Sequence, residues 1–200
     1  MSLSTIEACF VIGKARGEAI IVSTMSAMFS ISAVSPSPLN ISSVPLMGGA
    51  SGLGLGLAIA QPNKRVLVLD GDASLLMELG TMAQIADQAP TNLIHFVFNN
   101  NAQFAGLANL KRPGGASFDF CAVALGAGYS TAKTLYSVED MVAYAPVIMG
   151  SPGPHFVELC IDQQPRFLKE MPQPEIPDLQ FMRMGAEAQS MMEALGVTHE

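Results

Sequence analysis

Runs of consecutive apolar residues recur along the chain and predict buried strands. They lie at 19–22, 65–69, 93–98 and 155–161. Continuous runs of this length, rich in Val and Ile, are typical of strands that are covered on both faces. Between them lie segments with apolar residues at helical spacing, such as 4–15. Strands that alternate with helices predict an α/β fold of three layers, in which helices cover both faces of a parallel sheet.

The remaining segments are less regular. A loop or helix is expected at 23–34, and the Ser/Pro-rich stretch 35–45 predicts a loop. The segment Gly48–Ala60 has five glycines among apolar residues, which predicts a helix that packs very close to a neighbour or a ligand. One helix is expected after Ser74, where apolar residues recur at helical spacing, and others at 118–124 and from Ser137 onward.

The chain divides at about residue 170. We expect residues 1–170 to form one domain of ordinary size. From residue 171 the composition changes to three closely spaced prolines and then a Met-rich amphipathic stretch. We expect 171–200 to be a C-terminal arm or helix that packs on a partner subunit; the alternative is a partly ordered tail.

Composition and charge narrow the possible partners. Half of the residues are hydrophobic and 14% are charged, which allows a well-filled core and a surface that is buried against another chain. The net charge of −7 argues against nucleic acid. Three cysteines without metal-binding spacing fit a reducing cytoplasm. The apolar stretch 19–34 is shorter than a membrane span and contains several serines. We therefore expect a cytoplasmic protein with no nucleic-acid or membrane partner.

Polar residues follow two of the predicted strands where these strands end. Asp72 comes after the strand at 65–69 and Asn100 after the strand at 93–98, with a predicted helix between them. The two strands can therefore be neighbours, and ligands of such sheets bind at the carboxyl ends of the strands. Carboxylate and amide oxygens suit Mg²⁺ that is held jointly with phosphate oxygens.

The residues beside Asp72 suit a phosphate. Gly71 and Ala73 are small enough for backbone N–H groups to approach a ligand, and Ser74 adds a hydroxyl donor. A helix that starts after Ser74 would direct its N-terminus to the same place. The residues alone thus predict a Mg²⁺–diphosphate site. The alternative is that Asp72 and Ser74 cap a helix and that the asparagines are turn residues.

The pairing of Gly71–Ser74 with Asn99-Asn100 resembles the cofactor-binding signature of thiamine diphosphate (ThDP) enzymes, Gly-Asp-Gly followed by Asn-Asn. Ala73 is a conservative departure from its third position. The resemblance covers about 19–165 and implies the diphosphate-binding (PP) domain with the ThDP-binding fold. Within the family, the chain resembles the beta subunits of sulfopyruvate and phosphonopyruvate decarboxylases. The stretches 47–48, 54–62 and 75–80 are similar to the corresponding stretches of those subunits.

The resemblance implies roles for the residues at these positions. Asp72 and Asn100 are expected to ligate Mg²⁺ through their side chains, and Ala102 through its backbone carbonyl. The Gly71–Ala73 backbone and Ser74 are expected to hold the diphosphate.

Further candidates lie at the pyrimidine end of the cofactor. Met47 aligns with the bulky apolar residue that keeps ThDP in its bent shape; plain core packing is the competing interpretation. The backbone N–H of Met47 and the carbonyl of Pro45, where relatives often have glycine, are expected to contact the aminopyrimidine. Gly48, Gln103 and Phe104 complete the cofactor-binding candidates, and the last two are also candidates for the substrate pocket.

A basic pair follows the asparagines. In relatives this loop runs close to the substrate, and here it carries Lys111 and Arg112. The pair could bind a sulfonate, phosphonate or carboxylate. The alternative is two solvated charges on a mobile surface loop.

The resemblance also implies a group that this chain does not supply. In the family, the glutamate that activates ThDP lies in a separate pyrimidine-binding domain, and 200 residues are too few for both domains. We therefore assign no catalytic side chain here. We expect an alpha subunit that carries the pyrimidine domain, in an alpha2beta2 or larger assembly.

The expected function is that of a lyase subunit: non-oxidative decarboxylation of a small anionic 2-oxo acid to an aldehyde, with ThDP and Mg²⁺. One alternative is a carboligase subunit of the acetolactate-synthase type. Another is a non-catalytic, regulatory ThDP-binding subunit. A ferredoxin-linked oxidoreductase subunit is disfavoured, because it would usually bring cysteine motifs.

Overall fold

The computed structural model describes residues 3–43, 46–168, 170 and 177–197. Within them, six parallel strands form the main sheet, in the order β2-β1-β3-β4-β8-β7, and β5 and β6 pair antiparallel as a small separate ribbon. The strands are β1 (Ile20–Ser23), β2 (Asn40–Ser42), β3 (Val66–Gly71), β4 (Leu93–Asn99), β5 (Ala102–Gln103), β6 (Leu110–Lys111), β7 (Thr131–Leu135) and β8 (His155–Cys160).

Helices connect the strands and cover the sheet. They are α1 (Thr5–Ala15), α2 (Met25–Val34), α3 (Gly49–Ala60), α4 (Asp72–Met77), α5 (Thr81–Gln88), α6 (Phe120–Ala127), α7 (Val138–Gly150) and α8 (Pro177–Ala194), with a short 3₁₀ turn at Gly115–Ser117. Ser4 caps α1 with a full capping box, since its hydroxyl accepts from the Glu7 N–H and the Glu7 carboxylate accepts from the Ser4 N–H. Within the described chain, no helix has the length and apolar character needed to cross a membrane.

Two apolar layers lie on opposite faces of the sheet. Along the central strands, alternate side chains such as Leu67 and Leu69 pack with α1, α2 and α7. Their neighbours, such as Val66 and Val68, pack with α3, α5 and α6 on the other face. This arrangement confirms the predicted three-layer α/β fold with helices on both faces.

Two strands of the main sheet were not predicted from the sequence, and both lie at its edges; the short strands β5 and β6 of the separate ribbon were not predicted either. β2 falls within the stretch that was predicted as a loop, and β7 was not predicted. An edge strand is less enclosed than a central one, so it does not need a continuous apolar run. β7 shows this directly, because its exposure alternates along Thr131–Leu135.

The single helix expected after Ser74 is two helices. α4 begins at Asp72, two residues before Ser74, and ends at Met77; Glu78 then leaves helical geometry before α5 starts. Glu78 packs against Gly48, which has a φ of +88°. A Cβ at Gly48 would collide with this side chain, so glycine serves both the backbone conformation and the close contact.

The C-terminal helix packs on this chain's own sheet edge. The Ser42 N–H donates to Glu187 Oε2 (2.6 Å), and Met191 is buried in the core layer of α3. Contact with a partner subunit stays a prediction for the exposed side of α8, which includes Met182. The proposed division at residue 170 also stays a prediction, and 171–176 lie outside the described residues.

Candidate functional site

A cavity of about 470 Å³ opens where β1, β3 and β4 end. The first turn of α4, the turn after β4 and the start of α2 all reach it. Convergence of these segments follows from the parallel order of the strands, because their carboxyl ends share one edge of the sheet.

Asp72 is the buried anion of this cavity. Its side chain is almost fully enclosed (2% exposed), and Oδ2 lies 2.7 Å from Arg112 Nε and accepts the Asn101 N–H (3.1 Å). Burial raises the pKa of the carboxyl to about 6, while the Ala73 N–H and Arg112 act to lower it. A nearby cation stabilises a carboxylate in such surroundings.

The asparagine turn is held by its own side chains. Asn99 Oδ1 accepts the Asn101 N–H (3.1 Å), and Asn99 Nδ2 donates to Glu158 Oε1 on β8 (2.6 Å). Asn100 Oδ1 accepts the Ala102 N–H (2.9 Å). The φ of Asn101 is +56°, a conformation that asparagine tolerates better than most residues. Asn99 therefore fixes the turn, and Asn100 and Ala102 face the cavity.

Ser74 links two parts of the site. Its hydroxyl accepts the Gly48 N–H (2.8 Å) and keeps one hydrogen that it can donate. Because α4 starts at Asp72, Ser74 lies in its first turn, where backbone N–H groups lack partners within the helix. Hydroxyl and backbone donors thus reach the same wall as Asp72.

The donor set fits a Mg²⁺ ion that is bound together with a diphosphate. One buried carboxylate, an amide side chain and the Ala102 backbone line the same cavity, and oxygen ligands of this kind suit Mg²⁺. Among the described residues, no group of three His, Cys, Asp or Glu side chains could hold a metal. Phosphate oxygens would therefore have to complete the coordination of the ion.

Most of the residues predicted from the sequence line this one cavity. Pro45 lies outside the described residues, and Gly48 reaches the site through its hydrogen bond to Ser74. The lining residues among the predicted set are Met47, Gly71, Asp72, Ala73, Ser74, Asn100, Ala102, Gln103 and Phe104.

The location of Arg112 corrects the picture of a basic pair on a surface loop. Its side chain is 1% exposed, and Nη2 donates to Asn101 Oδ1 (2.8 Å) and to the Gly115 carbonyl (2.7 Å). The guanidinium also lies 4.9 Å from the centre of the Phe120 ring. Burial follows from the ion pair with Asp72, which a basic residue on a solvated loop would not make. Lys111 is exposed in β6, and a role for it in substrate binding stays a prediction.

Part of the cavity lining was not predicted from the sequence. The end of β1 could have been suspected, because it lies beside β3 in a parallel sheet. Met25 has a φ of +52°, in the left-handed region that residues with a side chain disfavour. No local sequence pattern predicts this conformation. The added lining residues include Met25, Ser26, Phe29, Leu107, Asp162 and Phe167.

The fold and the donors of this site suit an α/β domain that binds a cofactor with a diphosphate. Comparison with protein families identifies it: residues 23–159 match the model described as thiamine pyrophosphate enzyme, C-terminal TPP binding domain. Thiamine pyrophosphate is another name for ThDP. The chain belongs to this family.

Relatives agree with this assignment. The chain is 32% identical over 140 residues to a phosphonopyruvate decarboxylase of Streptomyces viridochromogenes, covering 70% of this chain and 34% of that enzyme. It is 48% identical over 64 residues to the sulfopyruvate decarboxylase subunit beta of Methanothermobacter thermautotrophicus, covering 32% of this chain and 34% of the relative. These matches thus span about a third of each relative's length.

A solved structure supports the fold. Benzoylformate decarboxylase from Polynucleobacter necessarius superposes with a TM-score of 0.65 at 19% identity, covering 82% of this chain and 34% of that one.

Proposed function

We propose that this chain is the ThDP- and Mg²⁺-binding subunit of a heteromeric 2-oxo acid decarboxylase, related to the sulfopyruvate and phosphonopyruvate enzymes. The observation that carries the proposal is the buried Asp72 carboxylate, which shares a cavity with Asn100, the Ala102 backbone and Ser74. In this reaction the bond between the carboxylate and the 2-oxo carbon breaks, CO₂ leaves, and a proton completes the aldehyde. ThDP, when bound, supplies the sink for the electron pair that is left behind.

The residues of this chain bind and orient the cofactor. Asp72, Asn100 and the Ala102 carbonyl would hold Mg²⁺ against the diphosphate, with Ser74 and the Ala73 N–H as phosphate donors. Arg112 and Asn99 set the geometry behind them, because Arg112 pairs with Asp72 and Asn99 bonds to Glu158. Met47 lies in the same wall and could prop the cofactor in its bent shape.

The remaining part of the active site is proposed to come from an alpha partner that carries the activating glutamate. One support is that several relatives are named as subunit beta of sulfopyruvate decarboxylase. A second is that the apolar side chains of Ile6, Phe104 and Leu107 line the cavity and are exposed. Clustered apolar side chains of this kind are often covered by another protein.

The test is to purify the chain alone and together with its pyrimidine-domain partner. Each sample is incubated with ThDP, Mg²⁺ and a panel of 2-oxo acids, and CO₂ and aldehyde are measured. We expect aldehyde from the complex and none from the chain alone. Acetolactate-type products in place of aldehyde would contradict the lyase proposal, and decarboxylation by the isolated chain would contradict the need for a partner.

A further inference from the structure

The charged side chains on the wall of the cavity are acidic. Among the described residues that line it, Asp72 and Asp162 are the charged side chains, and none of them is a lysine, arginine or histidine. Asp72 is buried, whereas Asp162 is exposed. The wall that this chain supplies therefore has two carboxylates and no cation within that set. The charge of Asp72 is balanced by Arg112 behind it, which leaves Asp162 as the negative group that acts on a ligand in the cavity.

The two cations that were candidates for binding an anionic substrate, Lys111 and Arg112, do not line this wall. Arg112 is enclosed and paired with Asp72, and its guanidinium also donates to Asn101 and to the backbone at Gly115. Lys111 lies in β6, outside the lining residues. The charge of Arg112 is thus balanced by Asp72.

The rest of the wall is mainly apolar. Large apolar side chains on the wall come from two elements: the start of α2, with Met25 and Phe29, and the loop around β5, with Phe104 and Leu107. An apolar surface stabilises an apolar group by excluding water from both. A second anionic group placed against it would lose hydration without gaining a counter-ion.

Resting on the proposed function, we infer that the substrate is a 2-oxo acid with an uncharged, apolar tail, rather than one with a sulfonate or phosphonate. The substrate's own carboxylate departs as CO₂, so a wall without cations does not oppose the reaction. A permanent anionic tail would stay throughout in a cavity that the Asp162 carboxylate also lines. The apolar side chains from α2 and the β5 loop would select against it.

The experiment measures tail preference in the complex of this chain with its partner. The value of kcat/KM for CO₂ release is compared for 2-oxo-4-methylpentanoate, sulfopyruvate and phosphonopyruvate. We expect the apolar substrate to exceed both anionic ones by about tenfold or more, the scale on which pocket contacts discriminate substrates. A higher kcat/KM for either anionic substrate overturns the inference.

A matched pair of variants locates the preference on this chain. Leu107 lines the cavity and is 53% exposed; Leu110, three residues later at the start of β6, is 52% exposed and is not a lining residue. L107K should shift the kcat/KM ratio by about tenfold toward the anionic substrates, whereas L110K should leave it unchanged. Equal shifts from the two variants, or none from L107K, would overturn the inference.

A binding measurement separates this inference from the proposed reaction. Ligand-observed NMR on the chain loaded with ThDP and Mg²⁺ compares the dissociation constants of the same three acids without requiring turnover. Tighter binding of the apolar acid supports the inference even if the complex decarboxylates nothing, an outcome that contradicts the proposed function alone. Tighter binding of an anionic acid overturns the inference and leaves the proposed reaction standing.

Discussion

Arg112 joins the two loops that form the polar end of the cavity. It contacts Asp72 on the α4 side and Asn101 in the turn after β4. Both contacts are enclosed, so neither Asp72 nor Arg112 can exchange its partner for water without opening the structure. The position of the Asp72 carboxylate thus depends on a residue forty places further along the chain.

Replacing Arg112 tests this dependence. R112M removes the positive charge but keeps much of the apolar volume of the side chain. Because Asp72 is then buried without its ion partner, we expect the free energy of unfolding to fall by about 3 kcal/mol. The control is K111M at the neighbouring position. Because Lys111 is exposed, this substitution should change the free energy of unfolding by less than about 0.5 kcal/mol. Urea denaturation of both variants measures this. Equal effects would show that the buried pair does not stabilise the fold.

The residues of the site differed in how far the sequence predicted their positions. Asp72 and Asn100 could be placed at one sheet edge, because each follows the end of an apolar run that predicts a strand. The burial of Arg112 could not be predicted, since it depends on contacts far apart in sequence. Likewise the left-handed conformation of Met25 is set by its surroundings and leaves no local pattern.

Among the elements, α3 shows how small residues shape the fold. A Cβ added at Gly54 would collide with the Val68 side chain on β3, whereas one added at Gly56 meets nothing within 4 Å. The glycine-rich pattern had predicted a helix that packs very close to a neighbour, and the contact at Gly54 confirms this. The glycines of α3 therefore differ in their roles.

Two alanine substitutions separate these roles. G54A should force α3 away from β3 and lower the free energy of unfolding by about 1–3 kcal/mol, the usual cost of overpacking. G56A, in the same helix at an exposed position, should raise it by up to about 1 kcal/mol, because alanine favours helix more than glycine does. Thermal or urea unfolding gives both values. A neutral G54A would mean that the helix can shift without strain.

The docking of α8 on β2 rests on Glu187. Its carboxylate accepts the Ser42 N–H and the Ser42 hydroxyl, at 2.6 and 3.2 Å. This satisfies a backbone donor on an edge strand, which would otherwise be open to pairing with another chain. The C-terminal helix thus protects the edge of the sheet.

Hydrogen exchange tests this docking. E187A should speed exchange of the Ser42 amide by about fivefold or more, the factor that corresponds to losing about 1 kcal/mol of hydrogen bonding. E193A is the matched control on an exposed position of the same helix and should leave that amide unchanged. The same protection in both variants would argue that apolar contacts, such as that of Met191, suffice to hold α8.

At the scale of the whole molecule, the central sheet was predicted well and its edges poorly. The four apolar runs became β1, β3, β4 and β8, and these four strands are consecutive in the sheet order. The edge strands β2 and β7 were missed for different reasons. β7 has exposed positions that need no apolar residue. β2 is buried but only three residues long, and two of these, Asn40 and Ser42, are polar. The site could be predicted because its main residues, Asp72 and Asn100, follow central strands.

The chain as a whole supplies one wall of a larger active site in the proposed function. Its cavity holds the residues expected to bind the diphosphate end of the cofactor, and the exposed apolar side chains of Ile6, Phe104 and Leu107 also line it. Cofactor binding should therefore be measurable on this chain alone, whereas turnover should require the partner.

The most direct test is calorimetric titration of ThDP into the isolated chain, with and without Mg²⁺. We expect binding that depends on Mg²⁺, and a loss of about tenfold or more in affinity for D72N, on the scale of one charge-assisted contact. D162N is the matched control, because Asp162 lines the same cavity outside the proposed metal site; it should bind ThDP like the wild type. Unchanged affinity in D72N, or equal losses in the two variants, would contradict the assignment of Asp72 as the anchor of the cofactor.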